Sequence, residues 1–378
     1  MVISWVDGQN KKITAIYWSN GLNKQEIENY GKDSDFIQIW YPWNLSDDIY
    51  EKYHELITYL ELEGEWKGNA YSSWIDLLQN EEVILQQFSK TRKYEVRRAK
   101  ERDNLKVLFQ DALEDAELSE FEEYYNRFAD QTDGLMGHRL DIEKVKALNK
   151  QKQFVLAKIL DSESNVLVMH GYIIDMEKKI AALFSSSSHF REENEKKALI
   201  SRANGLLHYE SMLYFKNRGL NIYDFGGIYL GNINLRYANV TSFKQSFGGK
   251  KMVFQNGIII PIREAKIIDC NLSKIGKMIS NADIVLWGYS SFGKYIEKQL
   301  KTIFSKECKY IIDNKLCESN KKCVNEQVLN EIEADNVLIL VSTSIENCCK
   351  IIAQDNVKKF VENNKLLCLR RMLYVDKF

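Results

Sequence analysis

One stretch limits the fold of this chain more than any other: a long amphipathic helix that runs straight into a short strand ending on a carboxylate and two glycines. Leu199, Ala203, Leu206, Leu207, Met212, Leu213 and Phe215 recur at helical spacing over residues 199–218, and Gly219 stands where a left-handed residue would end the helix. Residues 221–225 have the look of a strand, closed by Gly226 and Gly227; a polar loop and the segment FKQSFGG (243–249) follow. Glycines after a strand let the backbone come close to a ligand, and they also serve ordinary turns, so spacing alone leaves both readings open.

The residues before this stretch supply a sheet for it. FVLAKIL (154–160), NVLVMHGYII (165–174) and KIAALFSSSSHF (179–190) read as three successive strands bounded by turn residues. His170, inside a strand, reads as packed, and His138, alone in the loop DGLMGHR, as solvated. Residues 111–150 read as mostly helical, with Phe121, Tyr124, Tyr125 and Phe128 at helical spacing. Nearer the N-terminus, ITAIYW (13–18) and FIQIWY (36–41) have strand composition, SNGLNKQEIENYGKDSD reads as a loop with a short helix, and residues 47–60 read as a helix. The many aromatics there, Trp5 to Trp66, lie within strand patterns and read as core rather than as a base-stacking platform.

SSWIDL (72–77) is a further strand, and NEEVILQQF a helix with an acidic first turn. The most basic part of the chain comes next, KTRKYEVRRAK, which on a helix aligns Lys90, Lys93, Arg97 and Lys100 in one stripe. Such a stripe is a docking surface for phosphates or a solvated face balanced by Glu95, Glu101 and Asp103. The net charge of −1 over 378 residues gives no global field towards DNA or a membrane surface. No apolar run is long enough to span a bilayer and the N-terminus does not read as a signal peptide, so the expectation is a cytoplasmic protein with no transmembrane segment. The seven cysteines all lie from Cys270 onward, with no C-x-x-C and no histidine after them, which argues for reduced thiols and no metal site.

The order strand-WIDL, helix, KTRKYEVRRAK, three strands, long helix, NRGLNIYDFGG and FKQSFGG resembles the FemAB-type transferases, within the larger GNAT-fold acyltransferase group, over roughly residues 1–262. The resemblance implies an α/β fold: a GNAT-like mixed sheet, in two half-modules in some relatives, here 1–110 and 111–265, the second carrying the active site. It implies an amide-forming transfer of an acyl or aminoacyl group to an amine, with no tightly bound cofactor. The partners it implies are an activated acyl donor, aminoacyl-tRNA through its acceptor end or acyl-CoA, and a glycan or nucleotide-sugar acceptor from cell-wall or surface-polysaccharide synthesis. Asp224 would hold or deprotonate the amine, Tyr237 or Tyr229 would protonate the leaving group, and backbone N–H groups at Gly226 and Gly227 would serve the oxyanion. Lys244, Arg236, Arg92, Arg97 and Arg98 would take phosphates. One departure bears on the donor. The segment REENEKKALISRANG has no glycine before Gly205, unlike the loop with which acetyl-CoA-dependent members wrap pyrophosphate, so CoA would have to be held by Lys196, Lys197 and Arg202.

After Pro261 the texture changes to alternating strand and helix: ADIVLW, a tight turn, a helix, KYIIDNK, a helix at EQVLNEI and DNVLILVST. This is a small parallel α/β unit, expected over 276–378. The turn Gly288-Tyr289-Ser290-Ser291-Phe292-Gly293 is similar to G-x-G-x-x-G with serine at the middle glycine, and Asp313 ends the second strand where a ribose-binding acid would lie. The unit resembles Rossmann-like modules attached to sugar-modifying enzymes of surface-polysaccharide pathways, which implies nucleotide binding through these residues. An interaction or dimer module with no ligand is the alternative, and oligomeric state stays open. Two other functions remain beside glycan-precursor acylation: acyl-CoA-dependent acylation of a small amine or amino sugar, and a non-catalytic scaffold whose last domain binds a nucleotide sugar or a protein.

Overall fold

The computed structural model describes residues 1–43, 45–59, 69–131, 139–188, 190, 196–229, 235–255, 257–334 and 336–369. The chain folds as two compact units, each discontinuous in sequence: Met1–Asn20, Gln38–Asn44 and Leu60–Gly257 form the first, Gly21–Ile37, Leu45–Tyr59 and Ile258–Phe378 the second.

The first unit is built on a seven-stranded mixed sheet. Its strands lie in the order Lys250–Gln255, Asn69–Asp76, Ile222–Gly227, Ile180–Ser188, Val166–Asp175, Phe154–Leu160 and Lys106–Gln110. Every neighbouring pair is antiparallel except Ile222–Gly227 with Ile180–Ser188. Parallel neighbours need a crossover, and the helix Lys197–Asn217 supplies it. Gly219, at φ +79°, ends that helix in the left-handed region as its spacing predicts. The basic helix Lys90–Arg102 lies beside it, tied by Lys100 to Glu210 at 3.0 Å. Val96, Ala99, Ala203, Leu207 and Phe215 share one core with Ile75, Tyr223 and Phe225 of the sheet.

The opposite face of the sheet carries Phe154, whose ring lies 5.7 Å from that of Phe121 in the helix Asp115–Asp130. The hairpin Val2–Val6 and Lys12–Tyr17 belongs to this unit, and the Trp5 indole N–H donates to Asp141, the N-cap of the helix Ile142–Lys150, at 2.9 Å.

In the second unit a four-stranded parallel sheet has the order Cys308–Ile312, Asp283–Trp287, Val337–Val341, Leu366–Cys368. Val337–Val341 is buried along its whole length, as a central parallel strand covered on both faces must be. The segment Gly21–Ile37 of this unit is fastened to the helix Ile262–Lys274. Lys266 donates to Gly31 O at 2.7 Å, Arg263 pairs with Asp35 at 3.1 Å, and a Cβ on Gly31 would stand 2.6 Å from Ile262.

Several elements differ from the expectation. Val2–Val6 is a strand that composition did not reveal, being short and half-exposed. The helix expected over 47–60 stops at Tyr53 and is followed by the strand Thr58–Tyr59, and EQVLNEI forms only a 3₁₀ turn, Glu326–Asn330. The polar loop after Gly227 contains the helix Leu235–Gln245. His138 and His189 fall outside the described residues. Among the described residues no helix is long and apolar enough to cross a membrane.

Candidate active site

Asp224 is placed by two interruptions of the sheet at one level. On its parallel side, Ile222, Tyr223 and Asp224 pair with Ile180, Ala181 and Ala182, and there pairing ends while the neighbour strand continues to Ser188. On its antiparallel side, Asp224 faces Trp74 but Gly227 faces Ser72, so two residues oppose one. That is a bulge, and Gly226 at φ +70° is the residue that permits it. The parallel neighbour slips too: Tyr172 faces Leu183 but Gly171 faces Ser185. The two central strands therefore part just beyond Asp224, leaving backbone edges unpaired inside the sheet.

Alternation assigns the side chains. Tyr223 and Phe225 enter the helix-covered core, and Asp224 projects from the other face together with Ser72 and Trp74. Asp224 is fully buried. Its Oδ1 accepts from the Ser72 hydroxyl and from the Gly226 N–H, the latter at 2.7 Å. Its Oδ2 is buried with no hydrogen-bond partner, and so is Trp74 Nε1. Burial pushes the carboxyl above the usual range, against the opposing pull of Ser72, the Gly226 N–H, Trp74 and the Lys244 ammonium.

Lys244, in the helix Leu235–Gln245, donates to Gly227 O at 2.6 Å. Its side chain is half-buried but its ammonium is desolvated, which lowers its pKa to about 8 against the pull of Asp224. A Cβ on Gly226 would stand 3.5 Å from Leu183 O, 3.9 Å from Lys244 Nζ and 4.0 Å from the Tyr41 hydroxyl, so these groups converge on the bulge. Tyr41 is itself strained, at φ +50°, and burial followed by the charge of Asp224 raises its phenol. Beyond Tyr41 lies an aromatic wall: its ring is 5.4 Å from Phe254, Trp43 is 5.4 Å from Phe254 and 6.0 Å from Trp74. The site thus holds a buried carboxyl whose Oδ2 and the adjacent Trp74 indole N–H make no well-formed hydrogen bond yet attract one another, a cation of lowered pKa and apolar rings.

Comparison with known proteins gives distant likenesses. No family model matches the chain, and no curated protein does. Solved structures align with it at low identity. FemX is 14% identical with a TM-score of 0.45, over 66% of this chain and 80% of that one. The C-terminal domain of a putative lysylphosphatidylglycerol synthetase from Agrobacterium fabrum is 9% identical with a TM-score of 0.40, over 72% and 84%. Saccharomyces cerevisiae N-myristoyltransferase with bound myristoyl-CoA is 11% identical with a TM-score of 0.33, over 69% and 65%.

The remaining residues singled out by sequence separate into groups. Arg92 is buried, donates to Ser246 at 3.1 Å and Glu95 at 2.8 Å, and lies 4.6 Å and 4.9 Å from the rings of Phe243 and Phe247. It braces the helix-covered face, whereas Arg97 and Arg98 on the same helix are exposed. Arg202 is held by Asp103 at 2.6 Å and Lys196 by Asp161 at 3.4 Å, while Lys197 lies 5.8 Å from the Phe190 ring. The Gly226 N–H is taken up by Asp224 itself. Tyr229, buried, donates its backbone N–H to Thr241 at 2.9 Å. Arg236 and Tyr237 lie in the helix Leu235–Gln245 rather than in a loop, and their side chains fall outside the described residues.

In the second unit, Gly288 has φ +99°, Ser290 caps the helix Ser291–Phe304, and a Cβ on Gly293 would stand 2.0 Å from Gly288 O. Asp313 accepts from the backbone N–H of Tyr289 at 2.8 Å and from those of Lys315 and Leu316 at 3.1 Å. Thr343 Cγ2 would be 2.6 Å from a Cβ on Gly288, at the ends of the two central strands.

Ser72, Trp74 and Phe254 carry no functional signal in the sequence, and Tyr41 and Trp43 read there as core aromatics. The one signal was SSWIDL, where Ser72 and Trp74 alternate onto the face that a strand would offer.

Proposed function

We propose that the first unit transfers an acyl group to an amine. The observation that carries this reading is the buried Asp224, with one oxygen free, at the point where two parallel strands part. A carboxyl raised by burial is a better base than a solvated one, and Oδ2 would receive the proton of the attacking amine. The amine nitrogen forms a bond to the acyl carbon, the bond from that carbon to the donor's sulfur or oxygen breaks, and the leaving thiolate or alkoxide takes up a proton. Trp74 Nε1 and the Lys244 ammonium, on the same side, are the donors suited to the developing oxyanion. The unpaired edges beyond Asp224 would take an extended, amide-bearing donor as an added strand takes its place in a sheet.

The donor is aminoacyl-tRNA or acyl-CoA, and the acceptor an amine on a glycan precursor. The half-buried rings of Trp43, Trp74 and Tyr41, clustered beside Asp224, support that acceptor, being of a kind that packs against a sugar ring. For the second unit, the three backbone bonds that occupy Asp313 favour an interaction module over a nucleotide site. The test is amide formation from labelled acyl-CoA or aminoacyl-tRNA with amino-sugar acceptors. Asp224→Asn keeps the shape and the bulge but removes the base, and turnover should fall by about 10²-fold or more with donor binding unchanged. Full turnover in Asp224→Asn, or none in the native protein with either donor, would sink the reading.

A further inference from the structure

Apart from Asp224 and Lys244, one ionisable group of the first unit stands out. Lys144 lies on the helix Ile142–Lys150, where a lysine would ordinarily point to water, yet it is only 7% exposed. Its ammonium is surrounded by rings: Trp40 at 4.9 Å, Phe184 at 5.3 Å, Tyr17 at 5.4 Å and Trp5 at 5.5 Å. Asp141, the nearest acid, is already engaged, since Oδ2 accepts from the Trp5 indole and Oδ1 from the Lys144 backbone N–H. Among the described residues the ammonium has neither a hydrogen-bond acceptor nor an ion-pair partner. Aromatic faces attract a cation but accept none of its three N–H bonds well, so a buried lysine held only by rings lacks an oxygen partner.

A second observation points the same way. The Tyr17 hydroxyl is buried with no partner, and so is Nε1 of Trp18, whose ring is 5.6 Å from that of Tyr17. Of these groups the indole N–H only donates and the phenol can donate, and the ammonium offers donors with no acceptor side chain among the described residues. A site whose unmet groups are donors suits a ligand rich in acceptors. Phe184, one wall of the cage, lies in the slip between Leu183 and Ser185, at the level where the central strands part. Ser185 Oγ, beside it, is also buried without a partner.

We propose that Lys144, with Tyr17 and Trp18, forms an oxyanion subsite that takes a carboxylate or phosphate group between the rings of Trp5, Tyr17, Trp40 and Phe184. Joined to the Asp224 cleft, it would select an acceptor that carries an anionic group as well as its amine. That extension rests on the amide-forming reading; the subsite itself does not, and its test involves no turnover.

The test uses the full chain in sodium phosphate, sodium acetate or sodium chloride at matched ionic strength near neutral pH. It follows the melting temperature and the tryptophan fluorescence to which Trp5 and Trp40 contribute. Phosphate or acetate should raise the melting temperature over chloride and change the emission, the effective anion distinguishing a phosphate from a carboxylate ligand. Lys144→Met, which keeps the length and apolar stem, should melt no lower than the native protein in chloride and lose the anion response at least tenfold. Tyr17→Phe removes only the hydroxyl and should weaken the response severalfold, which keeps the test informative if Lys144→Met does not fold. No anion-specific response in the native protein, or an equal one in both variants, overturns the proposal. So does a Lys144→Met protein that is greatly destabilised in chloride while the native protein ignores the anion, because the lysine is then a structural cation–π hub.

Discussion

Lys244 makes a prediction whose size follows from the structure. Its folded-state pKa is about 8 against an ordinary 10.5, a gap of 2.5 units. At ~1.36 kcal/mol per unit, charging it inside the protein costs about 3 kcal/mol more than charging it in the unfolded chain. Below pH 8 both states hold the proton and the native state bears this whole cost. Between pH 8 and 10.5 the native state releases the proton while the unfolded state keeps it, so native stability rises with pH across that window and levels off above it.

Lys244→Met removes this titration, so the comparison isolates it from every other group. The variant also leaves Gly227 O without its partner, a fixed loss of roughly 1–3 kcal/mol that does not depend on pH. In urea unfolding at a series of pH values, the native-minus-variant difference should grow by about 3 kcal/mol between neutral pH and pH 10.5. In melting temperature that is roughly 6–12 °C for a unit of this size. A flat difference would mean that water reaches the ammonium. A falling one would mean that attraction to Asp224 outweighs desolvation and that the lysine is held above its ordinary pKa. Either result removes Lys244 as a group poised to shed its proton near pH 8.

Gly226→Ala should cost about 1–2 kcal/mol because φ +70° is left-handed, the new methyl itself sitting at ordinary contact distance from Leu183 O; denaturant unfolding measures it. If the bulge aims Asp224, turnover should fall by more than that stability loss accounts for. Tyr223→Phe should lose about 1–3 kcal/mol by orphaning the imidazole of His208, whose Nδ1 is 2.6 Å from the phenol oxygen. The same region predicts acid sensitivity. Burial holds His170 down to about 3 and His208 well below its ordinary value, so the unfolded chain binds these protons first. Stability should therefore fall as pH drops below about 6.5, and a His170→Asn variant should show a shallower acid limb in the same unfolding assay.

The main sheet could be read from the sequence because its strands carry their own signals. Residues 154–160, 165–174 and 179–190 are long apolar runs between turn residues, and the helix before Gly219 has seven apolar positions in phase. Asp224 stands out as a candidate because its strand ends on two glycines and because the segment resembles that of the FemAB-type transferases. What spacing does not encode is register. The bulge that frees one carboxylate oxygen depends on pairing with a strand some 150 positions earlier, and Tyr41, Trp43 and Phe254 reach the site from separate parts of the chain. The basic helix shows the same limit in miniature. Arg92, Arg97 and Arg98 look alike as residue types, yet Arg92 shares the buried stripe with Val96 and Ala99. Lys144 looks like Lys146 and Lys150 as a residue type on the same helix, and only the convergence of four distant rings makes it a buried cation.

The strand Ile222–Gly227 does two jobs on its two faces, and the first explains how the second is tolerated. Tyr223 turns inward to a hydrogen-bonded chain that runs from Asn204 through His170 and Tyr172 to Tyr223 and His208, at 2.8, 2.9, 2.9 and 2.6 Å. With Asn204 Oδ1 accepting, His170 Nε2–H donates and its Nδ1 accepts from Tyr172. Tyr172 in turn accepts from Tyr223, which accepts from His208 Nδ1–H. These bonds are met with both imidazoles neutral, a buried network that fixes the strand without a charge. One residue on, across the sheet, Asp224 is buried with an oxygen unmet and Tyr41 stands in a strained backbone conformation. Unmet groups and strain of that kind persist only where the surroundings over-determine the geometry. The satisfied face supplies that constraint, and the unsatisfied face is the one on which the proposed reaction would place the amine's N–H.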